Sequence, residues 1–149
     1  MPGISQDKAG SMISYRIWAL LSAVFAGLTA ILAKKGVEGV PSNLAVAIRV
    51  GVVLIFATVI AVVTRQTKMS GLSSKTWLFL ILSGIATGAS WLCYFRALQL
   101  GPVSKVAPID KLSFVLAMAL GILVLGEKPS ANLLIGAGLI VTGVLFTLR

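Results

Sequence analysis

The chain has 149 residues, of which 58% are hydrophobic and only 11% are charged. A soluble domain of this size needs a more polar surface, so the composition excludes one. The net charge of +9 therefore indicates contact with anionic headgroups rather than with nucleic acid. Because the sequence has no histidine and one cysteine, Cys93, it excludes histidine-based metal sites and an intrachain disulfide.

Residues 1–11 are polar and lack the apolar segment of a signal peptide. We interpret them as a leader that need not be native, since Met12 is a natural start. Residues 12–149 then form one transmembrane domain.

Five hydrophobic stretches follow, at residues 15–33, 44–63, 76–100, 103–125 and 130–148. About 20 apolar residues cross the ~30 Å hydrocarbon layer as a helix, which satisfies its own backbone groups in lipid. We therefore predict an all-α integral membrane protein with five transmembrane helices. Ser42-Asn43 is a cap signal for the second helix, and Gly101-Pro102 predicts a tight turn before the fourth.

An odd number of spans places the termini on opposite sides of the membrane. The N-terminal side receives six basic residues: Lys8, Arg16, Arg65, Lys68, Lys75 and Lys128. The other side receives five: Lys34, Lys35, Arg96, Lys105 and Arg149. Because the two sides are nearly balanced, the positive-inside rule favours neither orientation, and we expect the chain to insert both ways. The alternative is that charges near the first span fix one orientation, with the N-terminus inside.

Charged residues inside the predicted spans indicate an ion or substrate path, because charge is costly at this depth. Arg49 lies about 9 Å and Asp110 about 10 Å below the starts of their helices. We expect these two side chains to pair, either as a structural lock or as a gate or substrate anchor. Asp110 and Lys111 are adjacent and should point about 100° apart on one helix. Arg96 and Lys105 are shallower and able to snorkel.

An aromatic group precedes Arg96 in the third span. Trp91 shares a helix face with Tyr94 and Phe95, which favours either a pocket for an organic substrate or packing against neighbouring helices. Pro108 should bend the fourth helix beside the acid. The predicted path consists of Arg49, Trp91, Tyr94, Arg96, Lys105, Asp110 and Lys111.

Small residues predict close helix contacts. Gly84 and Gly88 form a GxxxG pair in the third span. Gly136, Gly138 and Gly143 make the apolar last span the predicted dimer seam, with packing inside the chain as the alternative.

The stretch from ATGASWLCYFRALQLGPVSKVAP through LGEKPS to IGAGLIVTGV resembles a single EamA domain of the drug/metabolite transporter superfamily. This resemblance implies half of a ten-helix inverted-repeat fold, located in a prokaryotic inner or plasma membrane and assembled as an antiparallel homodimer. The segment GLIVTGV also resembles the last helix of the four-helix small multidrug resistance proteins. Those proteins use a glutamate in their first helix, whereas residues 15–33 here contain no acid. Glu127 matches the family's Gly-Glu pair at the end of helix four, as a cap or loop anchor.

We therefore expect secondary transport of a small polar metabolite, an amino acid or organic acid, by alternating access. The sequence has no nucleotide-binding loop, so transport would be gradient-driven or facilitated. The alternatives are a non-transporting subunit that pairs with another EamA-like chain and a cation or drug exporter of the small multidrug type. Membrane lipid and a small-molecule substrate are the expected partners besides a second copy. We predict no cofactor, no metal and no enzymatic activity.

Overall fold

The computed structural model describes the backbone of residues 4–148 and the side chains of residues 15–148. In this range the chain forms helices and no strand: α1 (Ile4–Gly36), α2 (Ser42–Val63), α3 (Ser74–Leu100), α4 (Val103–Asp110), α5 (Leu112–Leu125) and α6 (Ala131–Thr147). Residues 1–3 and Arg149, which enter the leader and charge-balance predictions, lie outside the described residues.

The predicted all-α class is confirmed. Four segments are long and apolar enough to cross a membrane: Tyr15–Gly36, Ser42–Val63, Ser74–Leu100 and Val103–Leu125. The last segment, α6, is an apolar helix of 17 residues. At 1.5 Å per residue it is about 26 Å long, near the lower limit for a span. Helix α1 begins at Ile4, so it extends back into the region interpreted as a leader.

Serine side chains cap two of the helices. Ser73 accepts a hydrogen bond from the backbone N–H of Thr76 at 3.1 Å, and Ser130 accepts one from Leu133 at 3.3 Å. The predicted Ser42-Asn43 cap is wrong, because the N-cap of α2 is Pro41 and makes no side-chain bond. Ser42 is instead the first helical residue and is buried.

A left-handed glycine ends α5. Gly126 has φ of 69°, and the N–H of Glu127 donates to the carbonyl of Gly121 at 3.2 Å. This bond joins residues six apart and closes the left-handed turn that follows the helix. The Gly-Glu pair therefore terminates the helix through its backbone.

The hydrophobic core lies at one end of the bundle, which we call the packed end. There α1 and α3 finish, α2 and α4 begin, and Leu98 is fully buried. The core consists of Ala33, Val37, Ala45, Val46, Phe95 and Leu98, with partly buried neighbours that include Trp91 and Tyr94.

Hydrogen bonds between segments also hold the packed end together. The Lys34 ammonium donates to the carbonyls of Leu98 at 2.7 Å and Gly101 at 3.1 Å, where α3 leaves its last carbonyls free. The Gln99 amide donates to the carbonyl of Val40 at 2.6 Å. Lys34, which the sequence suggested only as a topology charge, thus caps a neighbouring helix.

The opposite end, residues 50–63 of α2 and 74–90 of α3, contains no buried residue, and we call it the open end. The chain exposes 11846 Å² in total. A compact globular protein of 15.5 kDa exposes about 7,200 Å². The helices at the open end therefore present apolar side chains to whatever surrounds the chain.

Candidate substrate-path site

The fourth apolar segment is interrupted near its middle. Helix α4 ends at Asp110 and α5 begins at Leu112, with Lys111 between them. Pro108 has no N–H to donate to the preceding turn. The backbone bonds from Lys111 to Pro108 and from Phe114 to Lys111, both 3.1 Å, span only three residues. The break thus falls just after the proline and places two charged side chains at membrane depth.

Those two charges pair with each other. The Lys111 ammonium lies 3.6 Å from Oδ2 of Asp110. Adjacent residues still leave the helix in different directions, but the flexible lysine stem reaches the neighbouring carboxylate. The pair is only partly covered, since the Asp110 side chain is 38% exposed and that of Lys111 is 60% exposed.

Arg49 lies on an aromatic surface instead of pairing with Asp110. Its guanidinium carbon is 4.3 Å from the centre of the Trp91 ring and 5.4 Å from that of Phe95. In the described part of the chain no carboxylate lies at ion-pair distance from it. Guanidinium is weakly hydrated and stacks well on aromatic faces, so this cation–π contact replaces the expected ion pair.

A cavity of about 520 Å³ joins these groups. Five residues of the predicted path line it: Arg49, Trp91, Tyr94, Asp110 and Lys111. Helices α1, α2, α3 and the α4–α5 break all contribute to its wall. The arrangement places aromatic faces, an acid–base pair and a cation without an acidic partner among the described residues around one space. That space is large enough for a small organic molecule.

Two predicted path residues lie elsewhere. Arg96 is exposed, donates to the Gln99 side chain at 3.1 Å and lines a separate cavity of 430 Å³ beside the loop before α2. Lys105 is exposed near the start of α4. The structure thus separates these shallow cations from the deep group, in agreement with their positions near the helix ends.

The α1 wall of the cavity was missed from the sequence. It consists of Ala23, Ala26, Gly27 and Ala30, with Thr29 beside them. Small residues at spacings of three and four share one helix face, so this pattern in the first span was the available signal. These residues leave room where larger side chains would fill the cavity.

The glycines of the predicted dimer seam face open space. A Cβ added at Gly136, Gly138 or Gly143 meets no atom within 4 Å in the described chain. Helix α6 packs inward through Ala137 and Val144, and its neighbours are α4 and α5. The same openness holds for Gly84 and Gly88. Packing within the chain therefore does not use either set of glycines.

The EamA-like transporter family matches residues 13–149, nearly the whole chain. The chain belongs to this family. A relative from Sinorhizobium sp, described as an uncharacterized transporter in the cobO 3' region, is 50% identical over 133 residues. These residues are 89% of this chain and 94% of the relative, which therefore also has about the length of one five-helix unit. No solved structure matches the chain.

The family match confirms the resemblance to EamA domains. Together with the apolar helices, it makes this chain a multi-pass membrane protein with a transporter role. The family and the relative's description both point to a transporter rather than an enzyme.

Proposed function

We propose that this chain is a secondary transporter for a small metabolite that carries a carboxylate, such as an amino acid or organic acid. The observation that carries the proposal is Arg49, a cation in the cavity wall with no acidic partner among the described residues. Its guanidinium rests on Trp91. A planar guanidinium held in one orientation is suited to a bidentate bond with a carboxylate.

The Asp110–Lys111 pair supplies the second half of the site. When Lys111 moves away, Asp110 becomes free to bind a substrate amine or a proton. A substrate with both a carboxylate and an amine would then contact Arg49 and Asp110 across the same cavity. The cavity wall from α1 contains small residues and Thr29 but no carboxylate. It therefore lacks the first-helix glutamate that the small multidrug resistance proteins use.

The assembly in this proposal is an antiparallel homodimer that works by alternating access. The balanced basic residues favour insertion in both orientations. Two oppositely oriented five-helix units reproduce the inverted-repeat arrangement of secondary transporters. The large exposed apolar surface and the open glycine face of α6 are consistent with a second copy.

Transport by purified protein in liposomes tests the proposal. We expect uptake of a carboxylate-bearing metabolite, with Asp110→Asn and Arg49→Ala each lowering the rate per assembled dimer at least tenfold. Lys105→Met is the matched control, since it removes an exposed charge outside the cavity. Normal transport by both cavity variants would show that the proposed site is wrong.

The orientation of the N-terminus tests the assembly. In a Cys93→Ser background, one cysteine placed before Tyr15 is labelled with an impermeant reagent before and after cells are permeabilised. Labelling of about half the molecules from outside supports antiparallel pairing. Labelling from one side alone would exclude it and favour a separate partner chain.

A further inference from the structure

The Asp110–Lys111 pair is deep in a span and yet much of it is uncovered. Asp110 lies about 10 Å below the start of the Val103–Leu125 segment. Its side chain is 38% exposed and that of Lys111 is 60% exposed. Direct contact with lipid at this depth is costly for ionised groups, even when they are paired. A protein surface or a protein-enclosed cavity is therefore needed to cover them.

The uncovered charges border a continuous open face of the fourth segment. Ser113 lines the 520 Å³ cavity beside Lys111 and is exposed. Ile109 and Ala117, one turn before and one turn after it, are also exposed. Ser113 and Ala117 are four apart and share one side of α5, and Ile109 lies one turn before Ser113 across the break. We call these three exposed residues the stripe of α4 and α5.

We infer that this stripe contacts the same stripe of a second, oppositely oriented copy, and that each copy's Lys111 pairs with Asp110 of its partner. The inference rests on the antiparallel homodimer of the proposed function. It adds that neither copy's cavity is complete alone, because the partner supplies a charged residue to it.

The depth of the break fits this symmetry. An antiparallel pair is related by a two-fold axis in the membrane plane, so only residues near the midplane meet their own equivalents. Ser113 lies about 15 Å below the start of its span, half of the ~30 Å hydrocarbon layer. Lys111 and the partner's Asp110 are then about 8 Å apart in depth, within reach of the flexible lysine stem.

Charge and area also favour a second copy. In a two-fold contact, if Lys111 of one copy meets Asp110 of the second, then Asp110 of the first copy also meets Lys111 of the second. An adjacent acid and base therefore form two ion pairs across such an interface. The chain exposes 11846 Å², about 4,600 Å² more than the ~7,200 Å² of a compact chain. That excess is enough for one chain's half of an obligate dimer interface, which buries roughly 2,000–5,000 Å² over both partners.

Disulfide cross-linking in the Cys93→Ser background tests the geometry in membranes. We expect Ser113→Cys to cross-link to itself, and Ile109→Cys on one tagged chain to cross-link to Ala117→Cys on the other. Ala117→Cys alone should not cross-link, since its two copies would be about 12 Å apart in depth. A parallel dimer would instead cross-link every one of these cysteines to its own equivalent.

Charge exchange between chains tests the ion pairs. Asp110→Lys or Lys111→Asp alone places like charges on the face and should lower the dimer fraction at least fivefold. Co-expression of the two variants with different tags should restore mixed dimers, because each chain then supplies the charge the other lacks. Lys105→Asp is the matched control and should not restore dimers with Asp110→Lys.

The outcomes separate this inference from the proposed function. Self cross-linking of Ala117→Cys would overturn both the stripe contact and the antiparallel assembly. Two-sided labelling of the N-terminus without any Ser113→Cys cross-link would overturn the stripe contact alone. Failure of the exchanged charges to restore mixed dimers would show that each Asp110–Lys111 pair stays within one chain, and would overturn the shared ion pairs.

Discussion

The two ends of this helix bundle differ in how much of their surface is buried within the chain. At the packed end, buried side chains such as Leu98 and Phe95 are joined by hydrogen bonds from Lys34 and Gln99. At the open end, α2 and α3 contain no buried residue over residues 50–63 and 74–90. The packed end is held by contacts within the chain, whereas the open end depends on lipid or another protein.

This contrast indicates which wall of the cavity is able to rearrange. The cavity with Arg49 and Trp91 lies next to the packed core, so its aromatic wall has firm support. The Asp110–Lys111 break lies on the less covered side of the same cavity. The aromatic wall of the proposed site is therefore held by contacts within the chain. The wall at the Asp110–Lys111 break depends on what the chain assembles with.

The largest expected effect comes from the centre of the packed end. Leu98→Ala deletes the fully buried side chain of the core. Cavity-creating changes of this kind cost about 2–5 kcal/mol. We expect a marked fall in the thermal unfolding temperature of the purified protein in detergent.

Leu80→Ala on the same helix is the control for Leu98→Ala. Leu80 is at the open end and 60% exposed, so its loss should barely change the unfolding temperature in detergent. Equal destabilisation by the two variants would show that the ends do not differ as described.

Lys34→Met should have the next largest effect. The lysine makes two hydrogen bonds to carbonyls around the end of α3, at 2.7 and 3.1 Å. Loss of a charged donor that leaves such carbonyls unpaired costs about 1–3 kcal/mol. Thermal unfolding in detergent, compared with Lys35→Met, measures this cost at constant net charge.

Lys35 is the matched residue because it is adjacent and exposed. Both variants remove one basic residue from the same side of the membrane, so any change in orientation is shared. If Lys35→Met were as destabilising as Lys34→Met, the loss would arise from charge rather than from the hydrogen bonds to α3.

The sequence predicted the helices more fully than it predicted their contacts. Hydropathy and length locate five apolar segments, because each segment must satisfy its backbone within lipid. The sequence did not predict the partner of Arg49. A cation at this depth can contact either a carboxylate or an aromatic ring, and which of them it contacts depends on how α2 packs against α3. The sequence predicted a bend at Pro108 beside Asp110, but it did not predict that Asp110 and Lys111 would pair with each other.

Some contacts had a sequence signal that was overlooked. The small residues of the first span, like the glycines of the later spans, indicate a helix face with room beside it. Lys34 had no such signal, because its partners Leu98 and Gly101 are distant in the chain and contribute only backbone carbonyls. Backbone acceptors have no residue type to recognise.

Trp91→Leu should have a moderate effect. The change removes the ring that lies 4.3 Å from the Arg49 guanidinium. A partly desolvated cation–π contact contributes about 1–2 kcal/mol. We expect a smaller fall in unfolding temperature than for Lys34→Met, together with a raised KM for the carboxylate substrate, since Arg49 loses its orientation.

Trp77→Leu is the control on the same helix. Trp77 is 42% exposed, at the open end, and no cation stacks on it among the described residues. The stacked tryptophan should therefore affect KM and the exposed one should not. A raised KM in both variants would mean that the aromatic content of α3, rather than the Arg49 contact, sets affinity.

The smallest expected effect on the monomer is that of Gly138→Ala. The added methyl group meets no atom within 4 Å in the described chain. Alanine also favours the helix by up to about 1 kcal/mol. Stability in detergent should therefore stay the same or rise slightly. If the glycine face of α6 is part of the dimer seam, the same methyl group should lower the dimer fraction in lipid.

Gly121→Ala should show the opposite pattern. Its added Cβ would lie 2.7 Å from the Glu127 carboxylate, which must then shift at the end of α5. That change should slightly destabilise the monomer and leave the dimer fraction unaltered. If Gly138→Ala also leaves the dimer intact, lipid covers the α6 glycines, and the seam lies on the open stripe of α4 and α5 alone.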